Sequence, residues 1–205
     1  MENNNSIEKL FFDSKKSSIK GKKYFRVYEE ILSKYKNKDI TFVEIGVLNG
    51  GSLEIWKKFF GSNSRIIGID LNPECKKFEK DGVEIFIGNQ CDPSFWKAFF
   101  LKVGNVDVVL DDGGHTNLSQ ITTTVNTVNN INDGGMLIVE DTHTSYMTEF
   151  NNPSNYSFIN FSKKTIDDIN FTFFKSKKFK FSLNKFIYSI QFYESFTIFN
   201  INRNL

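Results

Sequence analysis

The feature that most constrains the fold is a regular alternation of short β-type runs with helix-like segments between residues 41 and 141. Five runs are rich in β-branched and apolar residues: TFVEIGV (41–47), RIIGID (65–70), VEIFIG (83–88), VDVVLD (106–111) and GMLIVED (135–141). The intervening segments with helical character are 51–60, 92–102 and 117–130. Strands that alternate with helices form a parallel sheet covered by helices. The sequence therefore predicts an α/β fold with a doubly wound, mostly parallel sheet of the Rossmann-like type.

The two ends of the chain depart from this alternation. The first twenty residues are polar and are predicted to begin irregularly, whereas residues 22–36 carry apolar side chains at a helical period. A further helix is predicted near 160–178. The segment FIYSIQFYESFTIFNI then predicts two strands with a turn near Glu194, an antiparallel hairpin that closes the edge of the sheet.

A chain of 205 residues without an internal repeat or linker fits one domain. We expect an amino-terminal helical cap (1–40), a core that carries the ligands (41–146) and a helix with the edge hairpin (147–205). No run approaches 18 apolar residues and no secretory leader is evident, so neither a membrane span nor export is expected. Cys75 and Cys91 lack the spacing of a zinc site or a disulfide framework, which favours the cytoplasm.

The net charge of +2 is unevenly distributed. Residues 151–205 carry eight basic and three acidic side chains, with KSKKFKFSLNK at 175–185 as the densest part. Such a run is usually a solvated face. The alternative is contact with an anionic partner, such as a phosphate-bearing substrate or a nucleic acid.

The turn after the first predicted strand, EIGVLNGGS, has the character of a ligand site. In doubly wound sheets, ligands bind at the carboxyl ends of the strands, where glycines allow the backbone to approach and a later acid binds ribose hydroxyls. Gly46, Gly50 and Gly51 supply that turn, and Asp70 lies 24 residues after Gly46. The G-x-x-x-G-G spacing and the carboxylate of Glu44 favour an adenosyl ligand with a cationic amino-acid tail over NAD. The alternative is a purely structural loop.

The loop after the third strand, GNQCD at 88–92, is the next candidate. Asn89 and Gln90 can hydrogen-bond an adenine or ribose edge. Asp92 either joins them or caps the helix that begins at Pro93.

Acid pairs end the fourth and fifth predicted strands. These strands are expected to be neighbours, which would bring Asp112, Glu140 and Asp141 together at one edge of the sheet. Three carboxylates in a small space repel one another unless a cation compensates them, and oxygen ligands suit Mg²⁺, with Ca²⁺ or Mn²⁺ as alternatives. Asp111 is left out of this set because it either ends the strand or hydrogen-bonds the cofactor.

His115 follows the first acid pair by three residues and is one of two histidines in the chain. An imidazole beside a metal can take the proton of an acceptor hydroxyl, so His115 is the predicted general base. His143 is a rival base, or else it orders its loop or contacts substrate. Tyr146 is either a substrate contact or a packing aromatic.

The motifs FVEIGVLNGGS, IIGIDLN, IGNQCDP, VVLDDGGH and IVEDTHTSY together resemble class I S-adenosylmethionine-dependent methyltransferases over roughly residues 40–146. More narrowly, the chain resembles the metal-dependent sugar O-methyltransferases of the macrocin O-methyltransferase type, found in capsule and antibiotic-sugar pathways. The resemblance implies that Asp112, Glu140 and Asp141 hold a metal, with His115 as the base. It also implies that the glycine turn and Asp70 hold S-adenosylmethionine, that the acceptor is a sugar or nucleotide sugar, and that the protein forms a homo-oligomer.

Two positions depart from the family pattern: DDGGH replaces DDGSH, and GNQ replaces the commoner GDQ. Other function classes remain open. The same metal chemistry serves a catechol-like phenol, and the basic carboxyl-terminal segment admits a nucleic-acid methyltransferase, although the Asp/Asn-Pro-Pro-aromatic tetrapeptide of N-methylation is absent. A non-catalytic scaffold would bind no cofactor.

Overall fold

The structure is a computed structural model, and it describes residues 6–14, 20–80, 82–152, 156–170 and 182–203. The chain forms two compact units, Met1–Gly88 and Asn89–Leu205.

The first unit contains three parallel strands in the order β3-β2-β1: β1 (Thr41–Ile45), β2 (Arg65–Asp70) and β3 (Val83–Ile87). Its helices are α1 (Ile7–Phe12), α2 (Lys22–Leu32) and α3 (Gly51–Phe60). Apart from Thr41 and Ile87 at strand ends, the β-branched side chains of these strands are almost fully buried, as expected for strands covered on both faces.

Trp56 on α3 is the centre of this unit's core and has no exposed surface. Its ring lies 5.2 Å from Tyr28, 5.1 Å from Phe42 and 6.0 Å from Phe60, measured between centroids. Aromatic pairs at such distances add about 0.5–1.5 kcal/mol each beyond the burial of their area. This cluster fixes the orientation of α3 relative to β1, and with it the turn that joins them.

In the second unit, β4 (Val106–Asp111) pairs in parallel with β5 (Ile131–Val139). Two antiparallel strands follow, β6 (Ile187–Tyr193) and β7 (Phe196–Ile201), in the order β4-β5-β7-β6. The helices are α4 (Pro93–Val103), α5 (Asn117–Thr127) and α6 (Phe158–Asn170).

Helix α5 buries a face made of polar side chains. The buried residues of the helix are Asn117, Ser119, Gln120, Thr123, Thr124 and Thr127. Buried polar groups are stable only when they are hydrogen-bonded. Most of these side chains bond to loops or to their own helix, for example Gln120 to the carbonyl of Glu140 and Thr124 to the carbonyl of Gln120, so α5 acts as a polar support for the strand ends.

The predicted fold class is confirmed: strands alternate with helices, the core strands of each unit pair in parallel, and the second unit ends in an antiparallel hairpin. The turn of that hairpin lies at Glu194 and Ser195, as predicted. None of the described helices combines the length and the apolar character needed to cross a membrane.

Three details of the prediction need correction or restriction. The amino-terminal segment contains α1, because Ser6 caps a short helix that buries Ile7 and Phe11. Strand β5 begins four residues before the predicted 135, since Ile131 already pairs with Val106. The predicted helix at 160–178 is seen as α6 up to residue 170, and positions 171–178, like most of the basic run, lie outside the described residues.

Candidate active site

The turn between β1 and α3 requires glycine at two positions. Gly46 has φ +97°, and its N–H donates to the carbonyl of Ile69 at 2.8 Å. Gly50 has φ +71°, and a Cβ there would lie 2.8 Å from the Cγ of Phe78. Since side chains of L-residues disfavour both the positive φ and the close approach, the two glycines set the path of this turn.

The carboxylate of Asp70, at the end of β2, holds this turn from the side. Its Oδ2 accepts the N–H groups of Val47 (2.8 Å) and Leu48 (3.2 Å), and its Oδ1 accepts the N–H of Asn72 at 2.8 Å. Burial alone would raise the pKa of Asp70, but the three amides outweigh it and hold that pKa below its usual value. Asp70 is therefore an ionised anchor of the turn.

Two exposed leucines adjoin the Asp70 carboxylate. Leu48, whose amide bonds to Asp70, has φ +51° and a 78% exposed side chain, and Leu71 follows Asp70 in the chain and is 68% exposed. An anionic acceptor with apolar surface beside it fits a nucleoside, which has ribose hydroxyls and an apolar base face. Sequence reasoning did not single out these leucines, although their positions beside the glycine turn and the acid were the available signal.

Glu44 lies on β1 just before the turn and has no exposed surface. Its Oε2 accepts a hydrogen bond from the hydroxyl of Ser52 (2.6 Å), and its Oε1 accepts one from the indole N–H of Trp56 (2.9 Å). Both oxygens thus bond to the first turns of α3. Its predicted recognition of a cationic group on a ligand stays a prediction.

The loop that opens the second unit carries Asn89 and Gln90. Asn89 is exposed, and its Oδ1 accepts the N–H of Cys91 at 2.9 Å. Asp92 caps α4 by accepting the N–H of Ser94 at 2.8 Å, so the capping alternative describes this residue. Gln90 is buried, and its side chain bonds to the end of β4.

Asp111, the last residue of β4, is 1% exposed. Burial raises its pKa, although hydrogen bonds from Gln90 and from the N–H of Gly113 act in the opposite direction. Its carboxylate lies within the unit and holds neighbouring loops together.

Asp112, His115 and Asp141 form a group of potential metal ligands. One ligand atom from each lies within 4.8 Å of the others, and all three side chains are partly exposed. These residues follow β4 and β5, which are neighbours as the sequence predicted. Among the described residues of the chain, this is the one set of three that comes together in this way.

His115 is held in an uncommon backbone conformation, with φ +54°. Its Nε2 lies 3.6 Å from Oδ2 of Asp141, and its ring lies 5.9 Å from that of Phe150, between centroids. Its Nδ1 is buried and has no hydrogen-bond partner within the described structure. The hydroxyl of Thr144 donates to the carbonyl of His115 at 2.7 Å.

Glu140 is not part of this group. Its side chain has no exposed surface, its N–H donates to the carbonyl of Asp111 (3.0 Å), and its carbonyl accepts from Nε2 of Gln120 (2.9 Å). Side chains of consecutive residues at a strand end point to opposite faces of the sheet, so the side chains of Glu140 and Asp141 leave the backbone on opposite sides. Asp141 then takes φ +52°. The predicted metal role of Glu140 stays a prediction.

The two predicted substrate residues lie near the surface. The Nδ1 of His143 is 4.0 Å from Oδ1 of Asp141, and half of the His143 side chain is exposed. Tyr146 is 66% exposed, which does not fit the alternative of a packing aromatic.

The donor set fits a divalent cation. Two carboxylates and an imidazole with atoms within 4.8 Å of one another offer the oxygen and nitrogen ligands that Mg²⁺ or Mn²⁺ accept, with positions left for water or substrate. The unpartnered Nδ1 of His115 is consistent with a ring whose orientation is completed by a ligand or a bound water.

No protein-family model matches the chain. The chain is 27% identical over 164 residues to the 8-demethyl-8-α-L-rhamnosyl tetracenomycin-C 2′-O-methyltransferase of Streptomyces olivaceus, an alignment that covers 75% of this chain and 43% of that enzyme. It is 29% identical over 134 residues to the demethylmacrocin O-methyltransferase of Streptomyces fradiae, covering 62% of this chain and 33% of that enzyme.

Among solved structures, the MycE methyltransferase from the mycinamycin biosynthetic pathway, in complex with Mg and SAH, superposes with a TM-score of 0.84. The match covers 98% of this chain and 54% of MycE at 23% identity, and it shows a shared fold. The predicted resemblance to sugar O-methyltransferases is thereby confirmed. The chain spans less than half the length of the two curated relatives.

Proposed function

We propose that the chain is an S-adenosylmethionine-dependent and divalent-metal-dependent O-methyltransferase that acts on a sugar hydroxyl. The observation that carries this proposal is the group Asp112, His115 and Asp141 at the ends of β4 and β5, in a chain similar to enzymes named as sugar O-methyltransferases. That the whole chain acts as one methyltransferase domain is part of the proposal.

S-adenosylmethionine would be held by the glycine turn of the first unit. The exposed leucines beside Asp70 would contact the nucleoside, and the positive-φ glycines Gly46 and Gly50 set the path of the turn that faces it. The predicted contacts of Glu44, Asn89, Gln90 and Asp111 with the cofactor are untested. The MycE complex with Mg and SAH supports the choice of both ligands.

Asp112 and Asp141 would hold the metal, with Glu140 as the third ligand that the family resemblance implies. When bound, a divalent cation lowers the pKa of an acceptor hydroxyl. His115 would accept the hydroxyl proton at Nε2, and the carboxylate of Asp141, 3.6 Å away, would stabilise the imidazolium that results. The geometry equally suits His115 as a metal ligand, and the two roles differ in their effect on metal affinity.

The acceptor would be a nucleotide sugar or a glycan. The relatives named above act on rhamnosyl tetracenomycin and demethylmacrocin, so an antibiotic-type sugar has more support than the capsule or surface polysaccharide that the sequence also allowed. His143 and the exposed ring of Tyr146 are the predicted substrate contacts. A catechol-like acceptor is the runner-up, because the same residues would serve vicinal aromatic hydroxyls. The cytoplasmic compartment and the homo-oligomer stay predictions.

Calorimetric titration tests the proposal in two steps. S-adenosylhomocysteine is titrated into chelator-treated protein, and Mg²⁺ is then titrated into the complex. We expect binding in both steps, and loss of the Mg²⁺ signal in Asp112→Asn with cofactor binding kept. Asp167→Asn, a change of an exposed carboxylate on α6, is the matched control and should leave both signals unchanged.

The outcomes separate the parts of the proposal. Binding of S-adenosylhomocysteine without a Mg²⁺ signal would leave a methyltransferase with a metal-independent mechanism. Absence of cofactor binding would overturn the proposed function. His115→Ala separates base from ligand: loss of methyl transfer with unchanged metal affinity identifies the base, whereas a tenfold or greater loss of metal affinity identifies a ligand.

A further inference from the structure

Gln90 directs every polar atom of its side chain to the protein itself. Its Nε2 donates to Asp111 (3.0 Å to Oδ1, 3.2 Å to Oδ2) and to Oγ1 of Thr123 at 3.0 Å. Its Oε1 accepts the N–H of Gly114 at 2.7 Å. The residue is 8% exposed. A primary amide has two donor hydrogens and one carbonyl oxygen, so these partners occupy both hydrogens and one face of the oxygen.

The contacts to Asp111 and Gly114 meet the loop that carries Asp112 and His115. Asp111 precedes Asp112, and Gly114 precedes His115. Asp111 also accepts the N–H of Gly113 at 3.2 Å, so the Gln90 amide and the Asp111 carboxylate together bond to both glycines of DDGGH. Glycines in a loop are free to move, and fixing their N–H groups removes that freedom.

The carbonyl of Gln90 is held as well, because the indole N–H of Trp96 donates to it at 2.8 Å. Trp96 is 1% exposed on α4, and Thr123 belongs to the buried face of α5. Gln90 is therefore hydrogen-bonded to helices α4 and α5 and also to the DDGGH loop. Buried, fully bonded networks of this kind are rigid, and they favour one geometry of the groups that they support.

From these contacts we infer that Gln90 is a positioning residue: it sets the placement of Asp112 and His115 for metal binding, acting through Asp111 and Gly114, and it does not contact the cofactor. This inference rests on the proposed function. It assigns to Gln90 an effect on metal affinity that does not require contact with the metal. Residues that orient metal ligands typically change affinity by about 10–100-fold when they are replaced.

The test measures Mn²⁺ affinity by electron paramagnetic resonance and S-adenosylhomocysteine affinity by calorimetry. Gln90→Met keeps the length of the side chain and removes its hydrogen bonds, and it should weaken Mn²⁺ binding at least tenfold while cofactor affinity stays within threefold. Gln191→Met, the same change at an exposed position of β6, is the matched control and should alter neither affinity.

A pair of variants that exchanges the amide of Gln90 and the carboxylate of Asp111 tests the same inference if Gln90→Met folds poorly. Gln90→Glu places a second carboxylate against Asp111 and should weaken Mn²⁺ binding through repulsion. Adding Asp111→Asn restores an amide–carboxylate pair with donor and acceptor exchanged, and should bring Mn²⁺ affinity back to within threefold of the wild type.

Each result bears on one claim. If the double variant is as weak as Gln90→Glu, or if Gln90→Met lowers cofactor affinity and spares Mn²⁺ binding, the positioning role is overturned. If the wild-type protein binds neither Mn²⁺ nor S-adenosylhomocysteine, the proposed function fails instead.

Discussion

Thr144 contacts the backbones of both His115 and Asp141. Its hydroxyl donates to the His115 carbonyl at 2.7 Å, and its N–H donates to the Asp141 carbonyl at 2.9 Å. His115 and Asp141 have φ values of +54° and +52°, a conformation that costs a non-glycine residue about 1–2 kcal/mol. Such strain persists only where the surroundings impose it, and Thr144 is a single buried residue that restrains both.

Thr144→Val should therefore disturb the candidate metal site while keeping the shape of the side chain. The His115 carbonyl loses its hydroxyl donor, which we expect to lower the free energy of unfolding by about 1–3 kcal/mol. Mn²⁺ affinity should fall severalfold in the same variant. Urea unfolding and Mn²⁺ titration measure the two effects, and Thr144→Ser, which keeps the hydroxyl, should preserve both properties. Equal losses in the two variants would refute the restraint.

Gly50→Ala should destabilise the first unit strongly. The residue has φ +71°, and a new Cβ would meet the ring of Phe78 at 2.8 Å, so strain and overlap add to at least about 3 kcal/mol. Gly104→Ala measures a backbone cost without overlap: its φ is +79° and its ψ −164°, a region that essentially only glycine occupies, and nothing lies within 4 Å of the added Cβ, so a loss of about 1–3 kcal/mol is expected. Chemical denaturation measures both variants, and a loss of only about 1–2 kcal/mol at Gly50, the cost of its left-handed backbone alone, would exclude a role for Phe78.

Gly114→Ser should be tolerated. A Cβ at Gly114 would lie 3.5 Å from Oε1 of Gln90 and from Oγ of Ser119, which is ordinary contact, and the position has no positive φ. We expect a change of less than about 1 kcal/mol in stability and unchanged Mn²⁺ binding, so this loop would accommodate the DDGSH sequence of the family motif. Gly135→Ser, where the Cβ would lie 2.2 Å from the carbonyl oxygen of Asp107, should by contrast prevent stable folding.

Asp70→Asn should cost stability in a pH-dependent manner. Because the amides hold the pKa of Asp70 below its usual value in the folded protein, its contribution is complete above the unfolded pKa of about 4 and is lost as the pH falls through the lower folded value. We expect a loss of about 1–3 kcal/mol at pH 7 that shrinks below about pH 4. Unfolding of both proteins from pH 3 to 7 measures the difference, and a gap that stays constant with pH would contradict an ionised anchor.

The strand pattern was sufficient to predict most of the core. The runs of Val, Ile and Leu at 41–47, 65–70 and 106–111 correspond to buried strands, because each must form a continuous apolar surface between two layers of helix. The neighbourhood of Asp112 and Asp141 followed from the same rule, since parallel strands end at one edge. These features depend on local composition and on a short list of allowed topologies.

Other features depend on contacts between distant positions, and the sequence pattern did not predict them. The partners of Gln90 lie 21, 24 and 33 residues away, so no local pattern indicates them. The positive φ of Asp141, whose carboxylate lies 3.6 Å from Nε2 of His115, is likewise not indicated by a glycine in the sequence. Leu48 and Leu71 were overlooked because an exposed leucine is conspicuous only once its exposure is known.

The polar buried face of α5 has a consequence for attempts to make this protein more robust. Thr123, Thr124 and Thr127 are poor helix formers in a buried position, so a stability-guided redesign would replace them with leucine or alanine. Thr123 receives a hydrogen bond from Gln90, however, and Gln120 on the same face holds the carbonyl of Glu140. A redesign that replaces Thr123 loses the bond to Gln90, and one that extends to Gln120 also frees the loop after β5, so thermal stability and metal affinity are expected to oppose each other along this helix.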